Sequence, residues 1–460
     1  MASTDDAHLS WPPLSGPVEI VDIPIRTPLP IYPPPEDVLT YPPLPSPQRQ
    51  PFVHPSFRLS THLVPAAYLR TTRYVSPPPA SFLPNWQMAK EEKLKKANET
   101  RRWLQQAKGS DAEGKKGYER VLWICVNRYY RPDLDKQRGN DKGLTLFFAH
   151  ANGFPKEIWE PTLRYLLASC SHLVEEIWTW EAVQHGDSAL LNEKSLSCIY
   201  DWMDNARDIL NFFTHFVPCQ PSSTVLPVHL PRVSESVAKE RASVGLQARN
   251  IVAIAHSFGG CSCTSAALTN ANLFSSLVLI DPVIMNSYLF QINKGRVDPL
   301  LIGALIRRDT WKSKFEARTL FKRNPFFVAW DPEVLDLYVE HGLYSARDEM
   351  GDEIVRLKTP AFQEAVVFLE EQTRTEVFAR LHTLDVKIKL RWVMPGKIGP
   401  NELGPPGSAR ERVWLRPENS SNIRIPGADH LIAQEKPREL ANEITDFLNK
   451  TYSRLLQSRL

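Results

Sequence analysis

Asn250-Ile251-Val252-Ala253-Ile254-Ala255-His256-Ser257-Phe258-Gly259-Gly260 is the stretch that decides how this chain folds. The apolar run Ile251-Val252-Ala253-Ile254-Ala255 reads as a strand buried on both faces. It passes through a small-x-Ser-x-Gly turn into residues 261–271, which have helical composition. A serine placed between strand and helix sits on a sharp, strained turn that lifts its hydroxyl clear of the sheet. Its neighbours two positions away must then be small. Ala255 stands where glycine is more usual, and Gly259 keeps the other side open. The helix behind the turn aims its first amides at the serine, an arrangement suited to a developing oxyanion. Ser257 is thus the expected nucleophile, and the Phe258 amide an expected oxyanion donor.

Working outward, short apolar runs recur at residues 121–126, 144–148, 174–180, 277–280 and 388–393, most of them separated by helix-length segments. Alternating strand and helix signals imply an α/β fold, a mostly parallel sheet with helices on both faces. The core is expected over residues 118–285 and 385–452. Residues 286–384 form a long, largely helical stretch between two strands, placed to cap the site. Residues 217–249 read as a polar insertion.

Two further segments complete a candidate site. Leu144-Thr145-Leu146-Phe147-Phe148 leads into Ala149-His150-Ala151-Asn152-Gly153-Phe154-Pro155, a strand ending in His-small-x. That pattern supplies a second oxyanion amide, here expected from Asn152, with His150 bracing the loop. Near the C-terminus, Asn422-Ile423-Arg424-Ile425-Pro426-Gly427-Ala428-Asp429-His430 is a short strand and a turn carrying histidine. His430 alone of the twelve histidines has this placement, so it is the expected general base. Two positions remain open for the acid. Asp281 ends the run Leu277-Val278-Leu279-Ile280, 24 positions after Ser257, and Glu402 follows the run at 388–393. Asp281 is preferred; a strand-end aspartate before proline is also an ordinary turn residue.

Composition narrows the function classes. The formal net charge is +3 over 460 residues, too little for a protein built to hold nucleic acid. No apolar run is long enough for a transmembrane helix, and Met1-Ala2-Ser3-Thr4-Asp5-Asp6 does not read as a secretory signal. Cys125, Cys170, Cys198, Cys219, Cys261 and Cys263 lack metal-ligand spacing, so no metal is expected and buried free thiols are.

Residues 1–84 hold 20 of the 39 prolines, which excludes ordinary helix or central strand. Residues 1–85 are expected to be an extended or disordered arm, a docked arm being the alternative. A charged helix and linker over 86–117 follow. The tail, 453–460, ends Ser458-Arg459-Leu460, a peroxisomal address of the Ser-basic-Leu type. It implies an import receptor as partner and the peroxisomal matrix as location, with the cytoplasm as alternative.

His150-Ala151-Asn152-Gly153-Phe154, Ala255-His256-Ser257-Phe258-Gly259-Gly260 and Gly427-Ala428-Asp429-His430 together resemble the α/β-hydrolase superfamily over about residues 118–450. Within it they look like the fungal peroxisomal branch, which includes the yeast peroxisomal lipase and hydrolases of Alternaria host-selective toxin pathways. Gln184-His185-Gly186-Asp187-Ser188 is similar to the superfamily's Gly-His-Gly-x-Ser turn, with Gln184 in place of the first glycine. The resemblance implies an α/β-hydrolase fold and cleavage of a small-molecule ester or thioester, on a lipid or acyl chain, without metal or organic cofactor. Two alternatives stand beside it. One is a hydrolase or acyltransferase tailoring a fungal secondary metabolite; the other is an inactive fold member acting as a binding protein.

Overall fold

The computed structural model describes residues 10–51, 53–109, 120–137, 142–286, 294–397 and 402–452. Eleven strands are described: β1 Arg58–Pro65, β2 Trp123–Tyr130, β3 Leu144–Ala149, β4 Val174–Trp180, β5 Asn250–His256, β6 Ser276–Ile280, β7 Thr310–Trp311, β8 Leu343–Arg347, β9 Glu353–Leu357, β10 Lys389–Pro395 and β11 Ser420–Ile425. Eight of them make one sheet in the order β1-β2-β4-β3-β5-β6-β10-β11. β1, β2 and β4 pair antiparallel, and every pairing from β4 to β11 is parallel. The fold is the expected α/β-hydrolase type, a mostly parallel sheet with helices around it.

Burial along β5 explains why the strand reads as an unbroken apolar run. Ile251, Ala253 and Ala255 point into one core, while Val252 and Ile254 point into a second core across the sheet. β3 and β6 alternate in the same way, with Phe147 and Leu277 on the first side and Phe148 and Val278 on the second. A central parallel strand has no wet face, so periodicity two leaves no polar residues behind.

The core starts earlier than residue 118. β1, inside the proline-rich segment, pairs with the whole length of β2 as the sheet's edge strand. Only an edge tolerates such flanking prolines, because their missing amides face away from the ladder. Residues 10–51 and 53–57 are mostly irregular yet docked. Arg26 bonds to Asp201, Thr373 and Glu376, and Arg49 to Glu160. Trp11 exchanges two bonds with the Asn422 side chain, at 2.7 and 3.0 Å. A charged helix, Lys90–Gly109, follows. Most of the linker at 109–117 and the whole tail at 453–460 lie outside the described residues.

Residues 294–384 are mainly helical and also carry three short strands. Helices Lys294–Ile306, Lys314–Phe321, Pro332–His341, Ala361–Phe368 and Gln372–Arg380 are joined by a small antiparallel sheet, β7-β9-β8. Val334, Leu335 and Tyr338 are buried, and Tyr338 packs among the rings of Phe321 and Trp330. Five of the six cysteines are buried and Cys219 is exposed.

Candidate active site

Register places the site. His256 pairs with Ile280, so the next residues, Ser257 and Asp281, leave the C-terminal edge of the sheet side by side. Ala149 pairs with Ala255, which brings the 150–155 loop to the same edge. Pro395 pairs with Ile425, and the turn after β11 delivers His430. Open parallel sheets present their ligand crevice at this carboxyl edge.

Ser257 carries the strain expected of such a turn, with φ +56° and ψ −117°. An L-residue reaches that conformation only when its surroundings hold it there. Its amide donates to the Ile280 carbonyl at 3.0 Å, and its own carbonyl accepts from Cys261 and Val283, both at 3.1 Å. Glycine is required beside it. A Cβ on Gly259 would meet the His150 carbonyl oxygen at 2.6 Å, because the helix Phe258–Thr269 lies directly against the end of β3.

A continuous hydrogen-bonded chain runs from the serine. Ser257 Oγ lies 2.9 Å from His430 Nε2, and His430 Nδ1 lies 2.7 Å from Asp281 Oδ2. Asp281 Oδ1 accepts from the buried Arg412 at 3.1 Å. Burial opposes ionisation of Asp281, yet the hydrogen bond and charge of His430, with the charge of Arg412, outweigh it. The carboxyl is held below its usual range. The His430 turn is itself anchored: His430 N donates to Asp429 Oδ1, and the fully buried His256 donates from Nε2 to the His430 carbonyl at 2.8 Å. Burial lowers the His256 pKa to about 3, so its ring is a neutral donor. Glu402 is engaged elsewhere. Its carboxylate accepts the amides of Gly407 and Ala409, at 3.1 and 2.6 Å, and so caps the helix Ser408–Val413.

On the other side of the serine, Phe258 opens its helix, and a helix leaves its first amides without internal acceptors. The Asn152 side chain is locked. It donates to the Glu364 carbonyl at 3.1 Å and accepts from His185 Nε2 at 2.9 Å. Glu364 lies on the cap helix Ala361–Phe368, so this bond ties cap to loop. Gly153, at φ +92°, passes so close to the Glu364 carboxylate that a Cβ would sit 3.1 Å from it. His150 accepts the Ala182 amide through Nε2 and donates from Nδ1 to Ala151 O, so it braces the loop. In the 184–188 turn, Gly186 adopts φ +49°, where a Cβ would collide with Glu181 at 1.9 Å. Cys125, Glu181 and Asp187 lie close together, but Lys156 supplies the positive charge there. Its Nζ is 2.8 Å from Asp187 and 3.4 Å from Glu181.

Sequence reasoning missed Arg412 and Glu364. Both are distant in the chain from the residues they hold, and neither lies in a recognisable pattern. His256 sat in plain view beside Ser257, but only its partner shows its part. Ser458, Arg459 and Leu460 fall outside the described residues. Among the described residues no helix is long and apolar enough to cross a membrane.

Comparison with known proteins agrees with this architecture. The chain is 31% identical over 225 residues to a type I acyl-CoA thioesterase of Penicillium brevicompactum, a match covering 48% of this chain and 44% of that protein. It thus spans less than half the length of that relative. It is 24% identical over 345 residues to a peroxisomal membrane protein of Saccharomyces cerevisiae, covering 72% of this chain and 81% of that one. Among solved structures, a peroxisomal alpha-beta-hydrolase of S. cerevisiae superposes with a TM-score of 0.58 at 18% identity, over 86% of this chain and 90% of that one, which is a shared fold. The model of the alpha/beta hydrolase family matches residues 146–443, from β3 into the helix Pro437–Tyr452, and on that span the chain belongs to the alpha/beta hydrolase family.

Proposed function

We propose that this chain is a serine hydrolase that cleaves an acyl ester or thioester. The observation that carries the reading is the Ser257–His430–Asp281 chain, with its 2.9 and 2.7 Å links, at the carboxyl edge of the sheet. His430 takes the Ser257 proton as Oγ attacks the carbonyl carbon. The C–O or C–S bond then breaks as His430 returns that proton to the leaving group. Water, deprotonated by the same ring, attacks the acyl-enzyme and releases the carboxylic acid. Asp281 holds His430 in the tautomer with a free Nε2 and stabilises the imidazolium. The amides of Phe258 and Asn152 receive the oxyanion.

Similarity to the Penicillium acyl-CoA thioesterases supports a thioester among the substrates. Similarity to the yeast peroxisomal protein, together with the terminal Ser458-Arg459-Leu460, supports delivery to the peroxisome by an import receptor.

A panel of acyl-CoAs and p-nitrophenyl esters of graded chain length tests the reading. Thiol or phenol release by the wild-type protein, absent in Ser257→Ala, is the expected result. A folded protein that turns over no acyl substrate would contradict it.

A further inference from the structure

We infer, resting on the hydrolase reading above, that His185 is a positioning residue for the oxyanion hole. Its Nε2–H, on a ring stacked against Phe258, fixes Asn152 so that the Asn152 amide can meet the oxyanion. Both expected donors are buried, and among the described residues neither the Asn152 nor the Phe258 backbone amide has a hydrogen-bond acceptor. Buried amides are rarely left unpaired unless something else receives them. What holds such a pair in place then matters to the chemistry.

The direction of the Asn152–His185 bond follows from one carbonyl. The Glu364 carbonyl can only accept, so the Asn152 NH2 faces it at 3.1 Å and Oδ1 faces His185 Nε2 at 2.9 Å. Nε2 must therefore carry the proton and donate. The other ring nitrogen, Nδ1, is buried with no hydrogen-bond partner among the described residues. An unpaired buried acceptor costs stability, so completing the polar pairing of the core does not account for a histidine here. Its side chain spends its one hydrogen bond on Asn152, and burial holds the ring neutral by pushing its pKa well below the ordinary range.

The ring is itself held firmly. It packs against the His150 ring, with centroids 4.6 Å apart, and stacks on the Phe258 ring at 5.9 Å with 22° between the planes. The His185 amide donates to the Ala182 carbonyl and the His185 carbonyl accepts from Ala189, both at 2.9 Å. The neighbouring Gly186 amide donates to Thr359 Oγ1 of the cap at 3.1 Å. One buried side chain thus touches both residues whose amides flank the nucleophile. The 184–188 turn, which the triad does not use, acquires a part in the reaction through that contact.

Steady-state kinetics of the full-length protein on a p-nitrophenyl acyl ester tests the assignment, with circular dichroism as the folding control. His185→Phe keeps a ring on Phe258 and removes the donor. Its kcat should fall about 10- to 100-fold, a share of the roughly 10²–10³ that losing a whole oxyanion donor costs, while KM stays within about threefold. His185→Gln can still donate through Nε2 and should bring kcat back to within about fivefold of wild type. A role in packing alone would favour phenylalanine over glutamine, the reverse order. Asn152→Ala keeps the backbone amide and removes the acceptor, so it should match His185→Phe. The double variant should be no slower than about the worse single one, because both break the same link. Asn152→Ala carries the test even where His185→Phe fails to fold. Active wild type with Asn152→Ala within about threefold of it in kcat, or His185→Gln slower than a folded His185→Phe, overturns the assignment alone. Wild type inert toward every acyl substrate overturns the hydrolase reading and this assignment with it.

Discussion

Replacing Asp281 by asparagine should disable the site through a tautomer, and the neighbours of Asp281 say why. One carboxylate oxygen faces His430 Nδ1 at 2.7 Å, and the other faces the Arg412 guanidinium at 3.1 Å. Arginine only donates. An asparagine at 281 must therefore turn its carbonyl toward Arg412 and its NH2 toward His430. The opposite orientation sets donor against donor in a buried site, at a cost of about 1–3 kcal/mol. With NH2 facing it, Nδ1 must accept, so Nε2 carries the proton and cannot take another from Ser257. Loss of the acid in a triad of this kind costs about 10⁴ in kcat. Glu402→Gln removes a carboxylate that accepts two amides at a helix start and should cost less than about tenfold in kcat, with a stability loss of about 1 kcal/mol. The assay is kcat and kcat/KM on an acyl ester for both variants, with circular dichroism as the folding control. A crippled Glu402→Gln beside an Asp281→Asn within tenfold of wild type would refute the reasoning.

Buried histidines predict acid sensitivity. Burial lowers His62 and His150 to about 4 and His256 to about 3, from an ordinary 6.5. Between those values the unfolded chain binds protons that the folded one does not, so their contribution is complete above about 6.5 and is lost as pH falls toward 4, up to about 3 kcal/mol each. Thermal melts from pH 7 to pH 4 should show a steady fall in Tm; a flat profile would show that these rings take up protons in the folded state. For the address, an N-terminally tagged protein lacking Ser458-Arg459-Leu460 should move from punctate peroxisomes to diffuse cytosol, and unchanged puncta would assign targeting to another signal.

Much of the site was legible because its parts are local. The β5 run, the small-x-Ser-x-Gly turn and the following helix are contiguous, and each constrains the next through backbone geometry. Ser257, Asp281 and His430 each end or follow a strand, so chain order alone could nominate them. What stayed hidden is what long-range packing decides. Arg412 becomes a partner of Asp281 only once β6 and the helix Ser408–Val413 come together, 131 residues apart in sequence. β1 was obscured by its prolines, although Leu59, Leu63 and Val64 are fully buried in the edge strand. The docked arm depends on Arg26 and Arg49 finding buried carboxylates on distant helices, a match no local pattern carries. In the cap, β7, β8 and β9 span two to five residues each, too short for periodicity to separate them from helix ends.

Covalent labelling with a fluorophosphonate, read by intact mass and peptide mapping, tests the central claim most directly. The strained Ser257, with His430 at 2.9 Å, should take up one phosphonyl group, and His430→Ala should slow that uptake severely. Ser257→Ala should remain unlabelled and lose roughly 10⁶ in turnover while keeping its fold. Labelling that persists in Ser257→Ala, or a folded wild-type protein that takes up no label, would contradict the account.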